Sequence, residues 1–562
     1  MSDLATLKEC QTKFDLAKLL QIEPQNLTYL IYGLSDEEKY NEFTIPKKTG
    51  GVRRIHAPIK ELKDLQRRLS NILQSCLIEI ESESKRSPPS HAYKKECSII
   101  TNAKSHTRMK WVLNLDLEDF FPSLHFGRVR GYFITNKHFE LTEEVSTIIA
   151  QIACYDKKLP QGAPCSPVIT NLICNILDVR LSKLARENKC KYSRYADDIT
   201  FSSRSGDISK NIVKNNDHLW EISGKLKKEI VRAGFSINKK KTRVQYKNSR
   251  QDVTGLVVNE KVSIPSKYWR TVRAMVDNLL YCGFFTINKI VEEEGERKEV
   301  KIMGKLSQLE GMLSHIESID SYNKKINPTK TLNQREKTYR DFLYYKKFYA
   351  NDKPVIICEG KTDHVYLICA LKNLSLDFPK LIEKVDGKLR SNLSFYKYSD
   401  LEMKLLGITG GSDLLRAFIS NYPKVIKKFS AKASSNPVII VIDNDKGAKE
   451  IFSQIKSITR SASPIDGSSN FYQLYDRFYV IATPAAKKSM SMIEDFFPKA
   501  LLRTKLNGKT FEPDEKKFNK DIHYSKAYFA DHVVARTYKT IDCSGFKAIF
   551  NRIEAAIEHS KT

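Results

Sequence analysis

Lys191-Tyr192-Ser193-Arg194-Tyr195-Ala196-Asp197-Asp198-Ile199-Thr200-Phe201 sets two adjacent carboxylates where two β-rich runs meet. Like charges held this close repel one another, and a bound dication is the usual compensation. A third carboxylate fits the same scheme, because Asp116 ends the strand-like run Trp111-Val112-Leu113-Asn114-Leu115. Three carboxylates on neighbouring strands are what a pair of Mg²⁺ ions requires for in-line attack of a hydroxyl on a phosphate. An acidic pair by itself is more often a solvated turn, so the residues around it decide the reading.

The 562 residues are enough for three or four domains, each with its own core. Lys and Arg number 94 against 66 Asp and Glu, a net charge of +28. Such a surplus favours a polyanionic partner through phosphate contacts and counterion release. It is densest from Lys225 to Arg250, where ten basic residues face the single acid Glu229. The 26 Tyr and 27 Phe would suit stacking on unpaired bases, although most belong in ordinary cores. No apolar run approaches eighteen residues, and Met1-Ser2-Asp3-Leu4 lacks a charged-then-apolar leader pattern. Eleven cysteines without a Cys-x-x-Cys pair argue against a disulfide framework and against a zinc knuckle. The expectation is a cytoplasmic, reduced protein with no membrane partner, bound to nucleic acid.

Residues 1–60 read as short helices and then a hairpin that turns at Lys47-Lys48-Thr49-Gly50-Gly51. Leu62, Leu65, Leu69, Ile72, Leu73 and Cys76 predict an amphipathic helix over 60–85. Residues 212–234 read as helical, Val253 to Val258 as a strand, and 265–315 as helical and basic. Val355-Ile356-Ile357-Cys358 and Val438-Ile439-Ile440-Val441-Ile442 are buried-strand signatures, each followed by acids and a helix. That alternation predicts a parallel α/β sheet with acids at the carboxyl ends of its strands. Residues 501–562 read as basic and helical.

Around the first acids the motifs resemble those of a reverse transcriptase of the retron branch. Leu113-Asn114-Leu115-Asp116-Leu117-Glu118-Asp119-Phe120-Phe121-Pro122-Ser123 resembles the first catalytic motif of that family. Leu159-Pro160-Gln161-Gly162-Ala163-Pro164-Cys165-Ser166-Pro167 is similar to the next, and Tyr195-Ala196-Asp197-Asp198 to its signature. Asn238-Lys239-Lys240-Lys241-Thr242 and Val253-Thr254-Gly255 follow in the expected order, and Asn102-Ala103-Lys104-Ser105-His106 resembles an element of retron enzymes. Cys165 departs from the common small hydroxyl residue but keeps its size. The resemblance implies a right-hand polymerase in which Asp116, Asp197 and Asp198 hold two Mg²⁺. Phe121 would exclude ribonucleotides by abutting the sugar 2′ position. Lys47 and Arg53 would clamp the triphosphate of a dNTP, Gln161 would bond near the incoming sugar, and Lys241 would protonate or contact the leaving pyrophosphate. Asn102 and His106 would help to hold a structured RNA. It further implies priming from a guanosine 2′-hydroxyl in the enzyme's own transcript, and retention of the branched RNA–DNA product (msDNA).

Glu359-Gly360-Lys361-Thr362-Asp363 contains Gly-Lys-Thr, but a phosphate loop would place its first glycine at Val355 inside a strand. Glu359 with Asp443 and Asp445 is better read as a carboxylate cluster for Mg²⁺. This pattern resembles the TOPRIM domain of topoisomerases, primases and OLD-type nucleases, with one or two metal ions. Asp363 and the Glu494 of Ile493-Glu494-Asp495-Phe496 match further acids of the nuclease branch. Gly410-Gly411 would form an intervening turn, and Lys487 or Lys488 would sit near the reacting phosphate. A topoisomerase requires a nucleophilic tyrosine in an attached DNA-binding domain, and a primase partners poorly with a self-priming polymerase. Nuclease is the activity that remains.

The reading is a multidomain α+β and α/β protein. Residues 1–262 are fingers and palm, 263–317 thumb, 318–352 connector, 353–500 a Rossmann-like TOPRIM domain and 501–562 a basic helical extension. It would be a retron reverse transcriptase fused to a metal-dependent nuclease for anti-phage defence. The alternative is a C-terminal domain that only binds nucleic acid or a partner. A group II intron enzyme is disfavoured because no Cys/His nuclease module follows the thumb. The nuclease substrate, RNA or DNA, and a homo-oligomeric state stay open.

Overall fold

The computed structural model describes residues 2–46, 51–83, 87–216, 219–293, 296–326, 331–408, 411–485, 490–513 and 517–562. The chain divides into two compact units, Met1–Trp269 with Ser318–Asn327, and Arg270–Glu317 with Pro328–Thr562.

In the first unit short helices lead to the antiparallel hairpin β1 (Tyr40–Pro46) and β2 (Val52–Pro58). The expected turn residues Lys47 to Gly50 lie outside the described residues. Helix α1 (Lys60–Ser82) buries Leu62, Leu65, Leu69, Leu73 and Cys76 on one face, as their spacing requires. After the short helix α2 (Ile99–Lys104) comes the central strand β3 (Trp111–Glu118). Helix α3 (Ser166–Glu187) presents Val168, Ile169, Leu172, Leu177 and Leu181 to the core. Strands β4 (Lys191–Tyr195) and β5 (Asp198–Ser203) then form the hairpin expected from the acidic pair. β5 pairs antiparallel with β3 in the register that sets Asp116 opposite Asp198.

Three local readings change. Residues 212–222, expected to be helical, form the hairpin β6 (Val213–Asn216) and β7 (Leu219–Ile222), and only α4 (Gly224–Arg232) is helix. The cause is local: β-branched and aromatic residues populate the strands, and the Ser223 hydroxyl caps the helix by accepting the Leu226 N–H at 3.1 Å. Strands β8 (Ser236–Ile237) and β9 (Arg243–Tyr246) complete the sheet on β3. Val253 to Val258 is a tight reversal rather than one strand, because Thr254 and Gly255 both take positive φ, +47° and +81°. Between helix α5 (Ser266–Cys282) and the next helix, the stretch expected to be helical contains the hairpin β10 (Thr286–Glu293) and β11 (Glu296–Met303). Gly283 ends α5 at φ +84°, the left-handed conformation of a helix C-terminus.

Helix α6 (Leu306–Ile326) leads to the α/β part of the second unit. Here β12 (Val355–Cys358) is followed by α7 (Asp363–Asn373) and β13 (Ser394–Phe395). Then come β14 (Val438–Ile442), α8 (Ala448–Thr459), β15 (Tyr472–Tyr475) and β16 (Phe478–Ala482). The strands order as β13-β12-β14-β16-β15, and every pair is parallel except β15 with β16. All residues of β12, β14 and β16 are buried, which is why these strands read as unbroken apolar runs. Residues 501–562 enter this core through Phe529, Val533, Phe546 and the apolar face of α9 (Lys547–His559). The end of α5 packs within the same unit, where the Leu280 carbonyl accepts the N–H groups of Ser430 and Ala431 at 3.0 and 3.1 Å.

Arg194 is fully buried and forks onto Asp178 of α3, with Nε and Nη2 at 2.8 and 2.7 Å from its two oxygens. Tyr192 donates to the same carboxylate at 2.6 Å. Removing one partner of such a pair leaves a buried charge uncompensated, at about 3–5 kcal/mol. Asp178→Ala is therefore expected to destabilise the first unit by that amount, read as lost hydrogen-exchange protection in β4 and β5. Unchanged protection would show that the pair does not hold the hairpin.

Candidate functional site

Two carboxylate clusters emerge, one in each unit. In the first, Asp116 and Asp198 lie opposite each other on β3 and β5, and Asp197 occupies the turn before β5. Ala196 sits at φ +55°, a region normally left to glycine, and Arg194 Nη1 holds its carbonyl at 3.1 Å. The strained turn is thus fixed from beneath by the buried guanidinium. Burial pushes the Asp198 carboxyl up to about 6, assisted by the charges of Asp197 and Asp116. Asp197 is raised too, again chiefly by burial.

The cation nearest these acids is Lys241, whose Nζ reaches both Asp116 oxygens at 3.0 and 2.9 Å. It stands on the 3₁₀ turn Lys239–Lys241, and Asn238, just before it, donates its N–H to the Asp116 carbonyl at 2.8 Å. Among the described residues no three His, Cys, Asp or Glu side chains are already gathered as a finished ligand set. The chemistry of the donors nonetheless fits a divalent ion. Three partly desolvated carboxylates lie beside one ammonium, whose side chain is half exposed.

Phe121 is half-buried, with its ring 5.5 Å from Phe120 and 6.4 Å from Tyr93. Gln161 joins the site to the β1–β2 hairpin by accepting the His56 N–H on its carbonyl at 2.9 Å. Gly162, at φ +122°, allows this approach, since a Cβ there would lie 2.7 Å from the His56 carbonyl oxygen. Arg53 is exposed on β2, and its charge lowers the Asp197 carboxyl. Lys47 lies outside the described residues. All ten basic residues from Lys225 to Arg250 are exposed.

Asn102 and His106 are a correction. Both are fully buried, out of reach of RNA. His106 bridges Ser202 and Ser193 through its two ring nitrogens, each at 2.7 Å, and Ser193 donates to Asn102 at 2.6 Å. Burial pushes the imidazole down to about 3, so it is neutral and locks α2 to the β4–β5 hairpin.

In the second unit Glu359 follows β12 and Asp443 follows β14. Glu359 accepts the Asp443 N–H at 3.1 Å, and Asp443 accepts the Ile493 N–H at 2.8 Å. Asp363 accepts the Gly360 N–H at 2.7 Å, where a Cβ on Gly360 would lie 2.4 Å from its carboxylate. Burial, with mutual repulsion, pushes Glu359 up to about 7, Asp363 to about 6 and Asp443 to about 8. Glu494 is 2% exposed and pairs with Lys526 at 2.8 Å. Apart from that ammonium, its oxygens meet no donor among the described residues. A cluster so short of positive charge fits a divalent cation. Asp445 is placed differently, accepting the N–H groups of Gly447 and Ala448 at 2.8 and 3.2 Å as a cap on α8. Gly411 donates its N–H to the Glu359 carbonyl at 3.1 Å, whereas Gly410, Lys487 and Lys488 lie outside the described residues.

Sequence reasoning missed Lys526 and Tyr93. Lys526 lies in a stretch with no motif, 32 residues beyond its partner, and no spacing rule points to it. Tyr93 precedes a polar run that reads as loop.

Residues 45–304 match the family model described as reverse transcriptase (RNA-dependent DNA polymerase). The retron Ec86 reverse transcriptase of Escherichia coli is 38% identical over 272 residues, which cover 48% of this chain and 78% of that protein. The retron Mx65 reverse transcriptase of Myxococcus xanthus is 36% identical over 252 residues, 42% of this chain and 55% of that protein. The first unit is therefore that of a reverse transcriptase. More narrowly, the chain belongs to the retron reverse transcriptases. Among solved structures, apo telomerase from Candida tropicalis aligns over 55% of this chain and 62% of that chain, at 13% identity and a TM-score of 0.31. A likeness that slight says nothing further about the fold. No helix among the described residues is long and apolar enough to cross a membrane.

The buried imidazole has a measurable signature. Its pKa in the folded chain lies below the unfolded value, so the unfolded chain takes up the proton first. Stability should fall as pH drops from about 6.5 towards about 3, by up to about 1.4 kcal/mol per unit. In His106→Gln this slope should flatten while RNA affinity stays as in the wild type. Weakened RNA binding by a fully folded variant would restore His106 as a contact residue.

Proposed function

We propose that this chain copies its own structured RNA into a branched RNA–DNA product and carries a Mg²⁺-dependent TOPRIM nuclease in its second unit. The observation that supports the first half best is the register placing Asp116 opposite Asp198, with Asp197 in the strained turn between β4 and β5. Asp116, Asp197 and Asp198 would hold two Mg²⁺, whose charge lowers the pKa of an attacking hydroxyl and neutralises a leaving pyrophosphate. Arg53 offers the triphosphate a bidentate fork and Lys47 a point charge. Lys241, now on Asp116, would protonate the leaving pyrophosphate or contact its phosphate. Phe121 rejects a ribose 2′-hydroxyl by occupying its space. The exposed basic run after Lys225 tracks the nucleic-acid backbone.

For the second half the supporting observation is Glu494, buried with no donor but Lys526 among the described residues and lying beside the desolvated Glu359, Asp363 and Asp443. These four would hold one or two Mg²⁺ that polarise a scissile phosphodiester, and Lys526 would face the developing negative charge. Asp445 would contribute through the oxygen it does not use as a helix cap. A binding-only second unit is the other reading, favoured by the engagement of Asp445 with α8 and of Glu494 with Lys526. On the nuclease reading the retained product restrains the second site, and a phage that degrades or modifies the product releases it.

Asp197→Asn is expected to lower complementary-DNA synthesis on the cognate RNA by about 10²–10³-fold or more. Normal synthesis would reject the two-metal assignment. For the second unit, destroying the bound product in cells should arrest growth and degrade bulk nucleic acid, and Glu359→Ala should abolish both effects. Equal growth of the two strains would leave the binding-only reading in place.

A further inference from the structure

Tyr93 stands at the polymerase site without belonging to any motif. It is 45% exposed, yet its backbone is held in the left-handed region at φ +59°, a conformation unfavourable for a non-glycine residue. The surroundings enforce it. The Tyr93 carbonyl accepts the Gln74 amide of α1 at 3.0 Å, and the Ala92 carbonyl accepts the Asn171 amide of α3 at 2.8 Å. Just before it, His91 donates its N–H to the Arg194 carbonyl at 2.9 Å, and Arg194 donates its own to Pro89 at the same distance. Residues 89–93 are thus laid along β4, two residues ahead of the turn that carries Asp197.

This placement brings the Tyr93 ring 6.4 Å from Phe121, at 51° between planes. On its other side Phe121 meets Phe120 edge-on at 5.5 Å, and Phe120 packs on Phe235 at 5.8 Å. The Arg128 guanidinium lies 4.6 Å over Phe235 and bonds the carbonyls of Ala233 and Gly234. Phe121 therefore has a rigid wall towards the core and, towards solvent, the tyrosine. The phenol is raised chiefly by burial, with Asp197 and Tyr195 adding to it and Arg53 opposing. A ring that excludes a 2′-hydroxyl by occupying its space works only while it cannot swing aside. Towards solvent the structure provides Tyr93.

We propose that Tyr93 is a positioning residue for sugar discrimination, the outer jaw that keeps Phe121 in its blocking rotamer. The inference rests on the reading of Phe121 as the sugar gate. The backbone that carries the ring is held by α1, α3 and β4 through the hydrogen bonds of residues 89–93.

The positive φ supplies a clean test, since glycine adopts it without strain while removing the ring. The ratio of kcat/KM for a deoxyribonucleotide to that for its ribonucleotide is measured by single-nucleotide incorporation on an RNA template. The full chain is used as wild type, Tyr93→Gly, Tyr93→Phe, Phe121→Ala and the double variant Tyr93→Gly/Phe121→Ala, each with its thermal melt. Tyr93→Gly should lower the ratio about 3- to 10-fold, the worth of one aromatic pair, mainly by raising kcat/KM for the ribonucleotide. Tyr93→Phe should retain the wild-type ratio, and the double variant should discriminate no worse than Phe121→Ala. If Phe121→Ala itself keeps full discrimination, the gate reading fails and the inference with it. If Phe121→Ala loses discrimination but Tyr93→Gly does not, the gate stands and the role of Tyr93 is overturned. That role is overturned as well if Tyr93→Gly slows both nucleotides equally, or if its loss adds in full to that of Phe121→Ala.

Discussion

The buried fork of Arg194 on Asp178 is the constraint on which the polymerase unit turns. A guanidinium removed entirely from water is tolerable only when all its donors are satisfied. Here they reach Asp178 and Asn171 on α3 and the carbonyl of Ala196. One side chain thereby ties the main core helix to the turn that lifts Asp197 and Asp198. Its backbone groups bind residues 89–91, which aim Tyr93. Two separated segments, residues 89–91 and the β4–β5 turn, are thus held to α3 through a single buried cation.

The two carboxylate clusters solve one electrostatic problem with different backbones. In the first, antiparallel register and a strained turn bring acids from two strands together. In the second, parallel strands end side by side, and backbone N–H groups of Asp443, Ile493 and Gly360 orient three of the acids. Each cluster is desolvated, and each keeps a single lysine close, Lys241 on Asp116 and Lys526 on Glu494. Those ammonium groups offset part of the repulsion.

The acidic hairpin was legible from the β-rich runs that flank it and the motifs around it, not from the acidic pair alone. The second sheet was legible because fully buried parallel strands leave unbroken apolar runs. Val213 to Ile222 and Thr286 to Met303 were misjudged as helix, since short stretches mixing charge with β-branched residues carry both periodicities weakly. Asn102 and His106 sit in a recognisable motif, but a motif does not say whether its polar groups face solvent or a pair of buried serines. Lys526 and Tyr93 depend on partners 32 and 28 residues away, at spacings that mark neither helix nor strand. The entry of residues 501–562 into the second core was equally hidden, because many of its apolar residues lie in turns and short helices.

The division of the chain carries a consequence at the level of the gene. The polypeptide passes between its two units three times, and two of the passages lie inside the continuous helices α5 and α6. A crossover that exchanged one unit for a homologous one at a single point would split one of these rods, or leave residues 270–317 or 318–327 apart from the unit they belong to. Exchanging one unit cleanly therefore takes more than one crossover, unlike in a fusion joined by one linker.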